Sequence, residues 1–422
     1  MAKKNRAHKA MSRRAMPAPE QLRSRIRIRT DFSHWFVTVF LIAGSIYASK
    51  VLDERATWLS FRYYLFQRLQ ASSPRKAAPR WTTFVLIGDE EYWRGEPARR
   101  SPIKRTYLAK LVRRVAQFHP SVVALDFDLR SPVPDGTLLD HPDYQQEDDE
   151  LIRTIQEVST HQVIVLPRTL GWGITGLVAE SAIYDKDKFN RNVRFGYIEF
   201  ANDMRQVPPS LRLGNGSTMS SFSLSIAQAI NKNSQVAERA IPYGTFIERA
   251  GFKDYELTAS DILTKPDEYL ESALSGRRAV LIGADWHRFS YGRGETVDSF
   301  DTPAGTMSGV FIHANYTEAI LDSRTFPPLD KRNAMLLEAL LSGIIALLFS
   351  VKMRGVFKLF GFFTVFAGIV LSAYFFWQNL GLFFDFFIPL FMLAGHTLYE
   401  QVHAWKEVAN KCIKEHQAEP AS

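Results

Sequence analysis

The chain has 422 residues, 46% hydrophobic and 23% charged, and 52 Lys and Arg against 44 Asp and Glu give a net charge of +8. Its one cysteine, Cys412, excludes an internal disulfide framework and any zinc site built on several thiolates. Ten Lys and Arg fall within residues 1–31 against only Glu20 and Asp31, so the remainder is near neutral and no nucleic-acid partner is expected.

In chain order, the basic arm 1–31 comes first. The positive-inside rule puts it in the cytoplasm, where anionic lipid headgroups are its simplest partner. An apolar run, 32–49, follows, and three more stand at 334–351, 359–377 and 380–399. Each approaches the roughly 20 apolar residues that a membrane span needs. A basic n-region as long as this arm is foreign to signal peptides, so the first run reads as a retained anchor. Lys352, Arg354 and Lys358 between the second and third runs put that loop inside as well. The expected architecture is four spans in a bacterial inner membrane with both termini cytoplasmic, residues 50–332 outside and a tail at 400–422. Glu338 and Asp385 interrupt the second and fourth spans and are intramembrane polar candidates. Small residues at Gly44 and Ala48, and at Ser342 and Ala346, are compatible with a homodimer.

The outer segment reads as α/β, a mostly parallel sheet flanked by helices. Short buried-strand patterns occur at Thr83–Ile87, Val122–Leu125, Val163–Leu166, Phe195–Phe200 and Ala279–Ile282. Helical patterns occupy Ile103–Phe118, Glu147–Val158, Ser223–Asn231 and Gly309–Asp322. On the Ile103–Phe118 wheel, Leu108, Leu111, Val112 and Val115 share a face, while Lys104, Arg105 and Lys110 sit elsewhere. Strand, helix, strand implies parallel crossovers.

Three of these strands run into acids: Asp89, then Asp126 and Asp128, then Asp285. The carboxyl edge of a parallel sheet is where α/β folds place ligand sites. With Asp301 or Asp298 joining from the following loop, these residues are candidates for a ligand or a cation. Oxygen-only donors suit Mg²⁺ or Ca²⁺. The same aspartates also serve as helix N-caps and turn formers, and that structural role stands beside the functional one. His313, near the start of a helix, reads as a satisfied structural histidine. There is no P-loop, no H-E-x-x-H, no G-x-S-x-G and no G-x-G-x-x-G.

Phe84–Glu90 (FVLIGDE), Val122–Pro132 (VVALDFDLRSP), Phe195–Val207, Ala279–Ala284 (AVLIGA), Asp301–Gly305 (DTPAG) and Met307–Asn315 (MSGVFIHAN) together resemble the second class of CHASE domain. These are extracytoplasmic sensory domains of bacterial receptors, and three spans after the domain are a usual arrangement there. The resemblance implies a non-enzymatic sensor of an unknown ligand. Because no kinase or cyclase follows the last span, the signal is expected to pass to a separate protein partner. Two other readings are a scaffold subunit of an envelope complex and a cation-dependent extracytoplasmic hydrolase.

Overall fold

The computed structural model describes residues 78–130, 144–200, 206–237, 240–242, 247–274, 279–302 and 305–326, helical residues at 355–380 and 401–411, and scattered positions beside them. Two compact units are present, one of residues 52–329 with 376–384, the other of 1–51, 330–375 and 385–422.

The first unit is built on one six-stranded sheet. Its strands are β1 (Thr82–Ile87), β2 (Val122–Asp126), β3 (Val163–Arg168), β4 (Val193–Tyr197), β5 (Glu256–Thr258) and β6 (Ala279–Ala284). They lie in the order β5-β1-β6-β2-β3-β4, and every adjacent pair is parallel. Both faces are covered, which is why the central strands are apolar throughout rather than alternating with polar residues. The period of two is still visible within β1. Val85 and Ile87 face one core with Leu108, Leu111, Leu151 and Ile155, while Phe84 and Leu86 face the other with Phe222, Ile226, Phe311 and Ile312.

Those partners define the outer layers. Helices α1 (Asp89–Arg94), α2 (Arg105–Ala116), α3 (Tyr144–Ser159), α4 (Phe222–Ile230), α5 (Ala259–Thr264), α6 (Asp267–Leu274) and α7 (Gly309–Leu321) surround the sheet. On one face, α2 and α3 pack against each other, and α5 and α6 share their core. On the other face, α4 packs against α7. A hairpin of β7 (Ser299–Thr302) and β8 (Gly305–Ser308) leads into α7.

The five expected strands are present. The one expected at Phe195–Phe200 sits two residues earlier, and its last turns become the loop at 198–200. Three short helices and the edge strand β5 were not legible, since each is held by packing rather than by its own periodicity. The largest correction concerns Arg105, expected on the polar face of its helix. It is 1% exposed. Its backbone N–H and guanidinium are both held by groups from other elements, so the wheel alone could not show which way it turned.

Glu338, Asp385 and Cys412 lie outside the described residues, as does most of the first, second and fourth apolar runs. The third run falls within one 26-residue helix, α8 (Gly355–Leu380). The side chains at 355–359, 362, 374 and 376–380 are themselves outside the described set. Among the described residues, no helix is both long and apolar enough to cross a membrane.

Candidate functional site

The sheet register brings the carboxyl ends of three strands level. Ile87 of β1 lies opposite Ala284 of β6, and Gly283 of β6 lies opposite Asp126 of β2. Above this edge opens a cavity of about 1030 Å³. Asp126, Asp128, Asp298, His313, Arg105 and Trp286 are among the residues that line it. Such a cleft, apolar with a few convergent polar groups, is the usual form of a ligand site in an open parallel sheet.

Asp126 ends β2 with its side chain only 7% exposed. Its carboxyl makes no hydrogen bond among the described residues. The nearest basic side-chain nitrogen is His313 Nε2, at 3.7 Å, beyond hydrogen-bond reach. Burial, followed by the neighbouring charge of Asp298, holds the Asp126 carboxyl well above the usual carboxylate range. Asp298 sits at a positive φ of 55° in the loop after β6. Although the residue as a whole is exposed, its carboxyl turns inward against Gly309 at the start of α7. A Cβ at Gly309 would lie 2.1 Å from Asp298 Oδ2, so only glycine admits this approach. Loss of water around that carboxyl raises it to about 6.

His313 is one turn further along α7 and fully enclosed. Its Nδ1 is 3.1 Å from Ser223 Oγ, and its ring lies 4.5 Å from Phe200 and 5.0 Å from Phe222. Burial lowers its pKa to about 3, so at neutral pH the ring is uncharged. This is the structural histidine expected from sequence, with one edge toward the cavity.

The cationic side of the cavity is already answered. Arg105 Nη2 donates to the Asp128 carbonyl at 3.0 Å, and its Nε lies 3.6 Å from Asp148. Glu147 takes the Arg105 N–H at 3.0 Å and both terminal nitrogens of Arg100, at 2.5 and 3.1 Å. Arg130 is divided between Asp128 at 2.6 Å and Glu180 at 2.8 Å. Burial works to raise the Asp128 carboxyl, but the Arg130 bonds outweigh it and hold Asp128 below its ordinary value.

The other acids named from sequence are spent elsewhere. Asp89 accepts from the His287 N–H at 2.7 Å and the Gly292 N–H at 2.8 Å, with His287 Nδ1 at 2.6 Å. These bonds outweigh the effect of burial and keep its carboxyl below the usual range. They also fix the loop that carries Trp286, which stacks on Tyr92 at 4.2 Å and forms part of the cavity wall. Asp285 joins Arg249 at 3.0 Å to Ser308 Oγ at 2.9 Å. Asp301 lies on the hairpin and accepts from Thr306 Oγ1 at 2.8 Å. Asp126 and Asp128 therefore meet at the cavity with Asp298, while Asp89, Asp285 and Asp301 do not line it. Among the described residues, no group of three or more His, Cys, Asp or Glu could hold a metal ion, so the expected Mg²⁺ or Ca²⁺ finds no complete donor set.

At the far end of α7 is a second buried acid that the sequence did not single out. Glu318 is fully buried and accepts from the N–H groups of Arg80, Trp81 and Thr82, at 2.9, 2.6 and 2.9 Å, and from Thr82 Oγ1 at 3.0 Å. Asp322 accepts from Trp81 Nε1 at 2.8 Å. A mid-helix glutamate carries no local signature of such a role; its partners are more than 230 residues away in sequence.

A parallel six-stranded sheet covered on both faces by helices, with a largely apolar cavity at its carboxyl edge, defines an α/β domain of the open parallel-sheet class. Residues 37–351 match the CHASE2 domain, and the chain belongs to that family, whose members are extracellular sensory domains rather than catalytic ones. No curated protein and no solved structure matches the chain.

Proposed function

We propose that the protein is a multi-pass sensor of the bacterial inner membrane. Its extracytoplasmic domain binds a small ligand in the cavity at the carboxyl edge of the sheet, and membrane helices pass the change to a separate cytoplasmic protein.

One observation carries the reading. Helix α7 runs from the cavity to the first described segment of the domain and leads on to its last described strand. Gly309 and His313 meet the cavity corner at its first turns, while Glu318 and Asp322 grip Arg80–Thr82 at its last. In sequence, Arg80 follows the first apolar run, and the chain after α7 leads to the second. The helix spans about 20 Å at 1.5 Å per residue. A ligand that shifts its first turn has a stiff element through which to move both connections. The basic arm and the charge of the loop at 352–358 support the proposed orientation.

The test is affinity purification of the full-length protein from native membranes in mild detergent, with mass spectrometry of co-purifying proteins. Recovery of a kinase, cyclase or response regulator supports the sensor. Recovery of envelope-assembly proteins alone replaces it with the scaffold reading.

A further inference from the structure

The charge left unanswered in the cavity is negative. All three guanidiniums, on Arg100, Arg105 and Arg130, already face carboxylates or a carbonyl. Arg105 Nη1 lacks an acceptor, but its guanidinium is tied by its other two nitrogens. Asp126 and Asp298 differ. Neither carboxyl makes a hydrogen bond among the described residues, and Arg288, whose charge partly offsets the effect of burial on Asp298, does not come within salt-bridge distance of it. Unpaired acids facing a sheltered cavity are expensive unless something meets them. Even with His313 Nε2 at 3.7 Å from Asp126, these carboxyls form no metal-competent cluster among the described residues.

The walls around this corner are aromatic. Phe200 meets Phe300 edge-on at 5.0 Å and lies against His313, and Trp286 completes the lining. Carboxylates backed by aromatic faces favour a cation with an apolar skirt. The ring quadrupole attracts the charge, and the ring surface covers the adjoining carbons.

We infer that the cavity takes an organic ammonium ion, its nitrogen seated between Asp126 and Asp298 and its carbon chain against Phe200, Phe300 and Trp286. This rests on the reading of the cavity as the sensory site and narrows it to one class of ligand. It also makes binding a proton-linked event. Each carboxyl is held above its ordinary range, so an ammonium ligand expels a proton on docking.

The experiment is isothermal titration calorimetry on the full-length protein in detergent, with putrescine, ethylammonium and choline as probes. Succinate and phosphate test for anions, and Mg²⁺ and Ca²⁺ test for metals. At least one amine is expected to bind. Its Kd should rise tenfold or more in Asp126→Asn and in Asp298→Asn, and stay unchanged in Asp301→Asn. Near pH 6 the apparent enthalpy should change with the ionisation enthalpy of the buffer. Two independent near-isosteric variants, each with a thermal melt, separate lost binding from lost folding. Binding of succinate or phosphate in place of the amines overturns the inference and leaves the cavity as a ligand site. Asp126-dependent binding of Mg²⁺ or Ca²⁺ overturns it in favour of a metal. Silence from all three amines also overturns it, while the sensory reading stands or falls on the membrane purification.

Discussion

Two buried acids at opposite ends of one helix behave in opposite ways. Glu318 accepts four hydrogen bonds, three of them from consecutive backbone N–H groups. Asp126, beside the first turns of the same helix, accepts none among the described residues. A saturated buried carboxylate holds structure together, because every lone pair it uses satisfies a donor that would otherwise be stranded. An unsaturated one weakens the fold and persists where something else uses it. The contrast separates the part of the domain that must stay fixed from the part that the proposed ligand would use.

The largest effect that sharpens this contrast is expected at the saturated end. Glu318→Ala strands the N–H groups of residues 80–82 and should lower stability by about 3–5 kcal/mol in denaturant unfolding. Asp126→Asn, measured the same way at pH 7, should be neutral or stabilising. A comparable loss from both variants would break the distinction.

Gly309→Ala comes next. Its Cβ meets Asp298 Oδ2 at 2.1 Å and Asp298 Cγ at 3.1 Å, so the carboxyl must leave its place. Because that carboxyl is the end of a side chain on an exposed residue, a loss of less than about 1 kcal/mol is expected. Combining it with Asp298→Ala should recover most of that loss, giving a coupling energy in a double-mutant cycle. A purely additive pair would show that the glycine serves another neighbour.

The pH dependence is smaller and has two opposed parts. Asp298 titrates at about 6 when folded, above its ordinary 3.8, so the folded state holds that proton longer. Its contribution is present at low pH and is lost as pH rises from about 4 through 6. His313 is held down to about 3 from 6.5, so the unfolded state binds its proton first. Its contribution is complete above 6.5 and is lost as pH falls toward 3. Between pH 4 and 6 the two slopes cancel in part, with Asp126, which faces both groups, adding to the acid side. Thermal melts of Asp298→Asn across this range should therefore rise more steeply with pH than those of the native protein. The smallest effect is at Asp301, on the exposed hairpin, where Asp301→Asn should change stability by less than about 0.5 kcal/mol.

The framework of the sheet was legible because buried parallel strands write themselves as continuous apolar runs, as Thr83–Ile87 and Ala279–Ile282 do. That acids gather at its carboxyl edge was legible too, from the residues that follow each run. Which acids were free was not. Asp89 is answered by His287, 198 residues away, and Asp285 by Arg249, 36 residues away, and no local pattern encodes either pairing. Arg105 misled for the same reason. On the wheel it sits beside buried Leu108, Ala109 and Val112, and Glu147 and Asp148 arrive from α3 to receive it there. Phe200 and Trp286 carry no local mark of a cavity, and only the fold shows them lining one.

The grip of Glu318 on Arg80–Thr82 has a consequence for which sequences can lead into this domain. It reads mostly main chain, so the side chains at positions 80 and 81 carry little of the Glu318 bond itself. A segment that keeps Trp81 and Thr82, whose side chains bond Asp322 and Glu318, should tolerate replacement at position 80, provided that none of the three docking positions is proline, which has no N–H to offer.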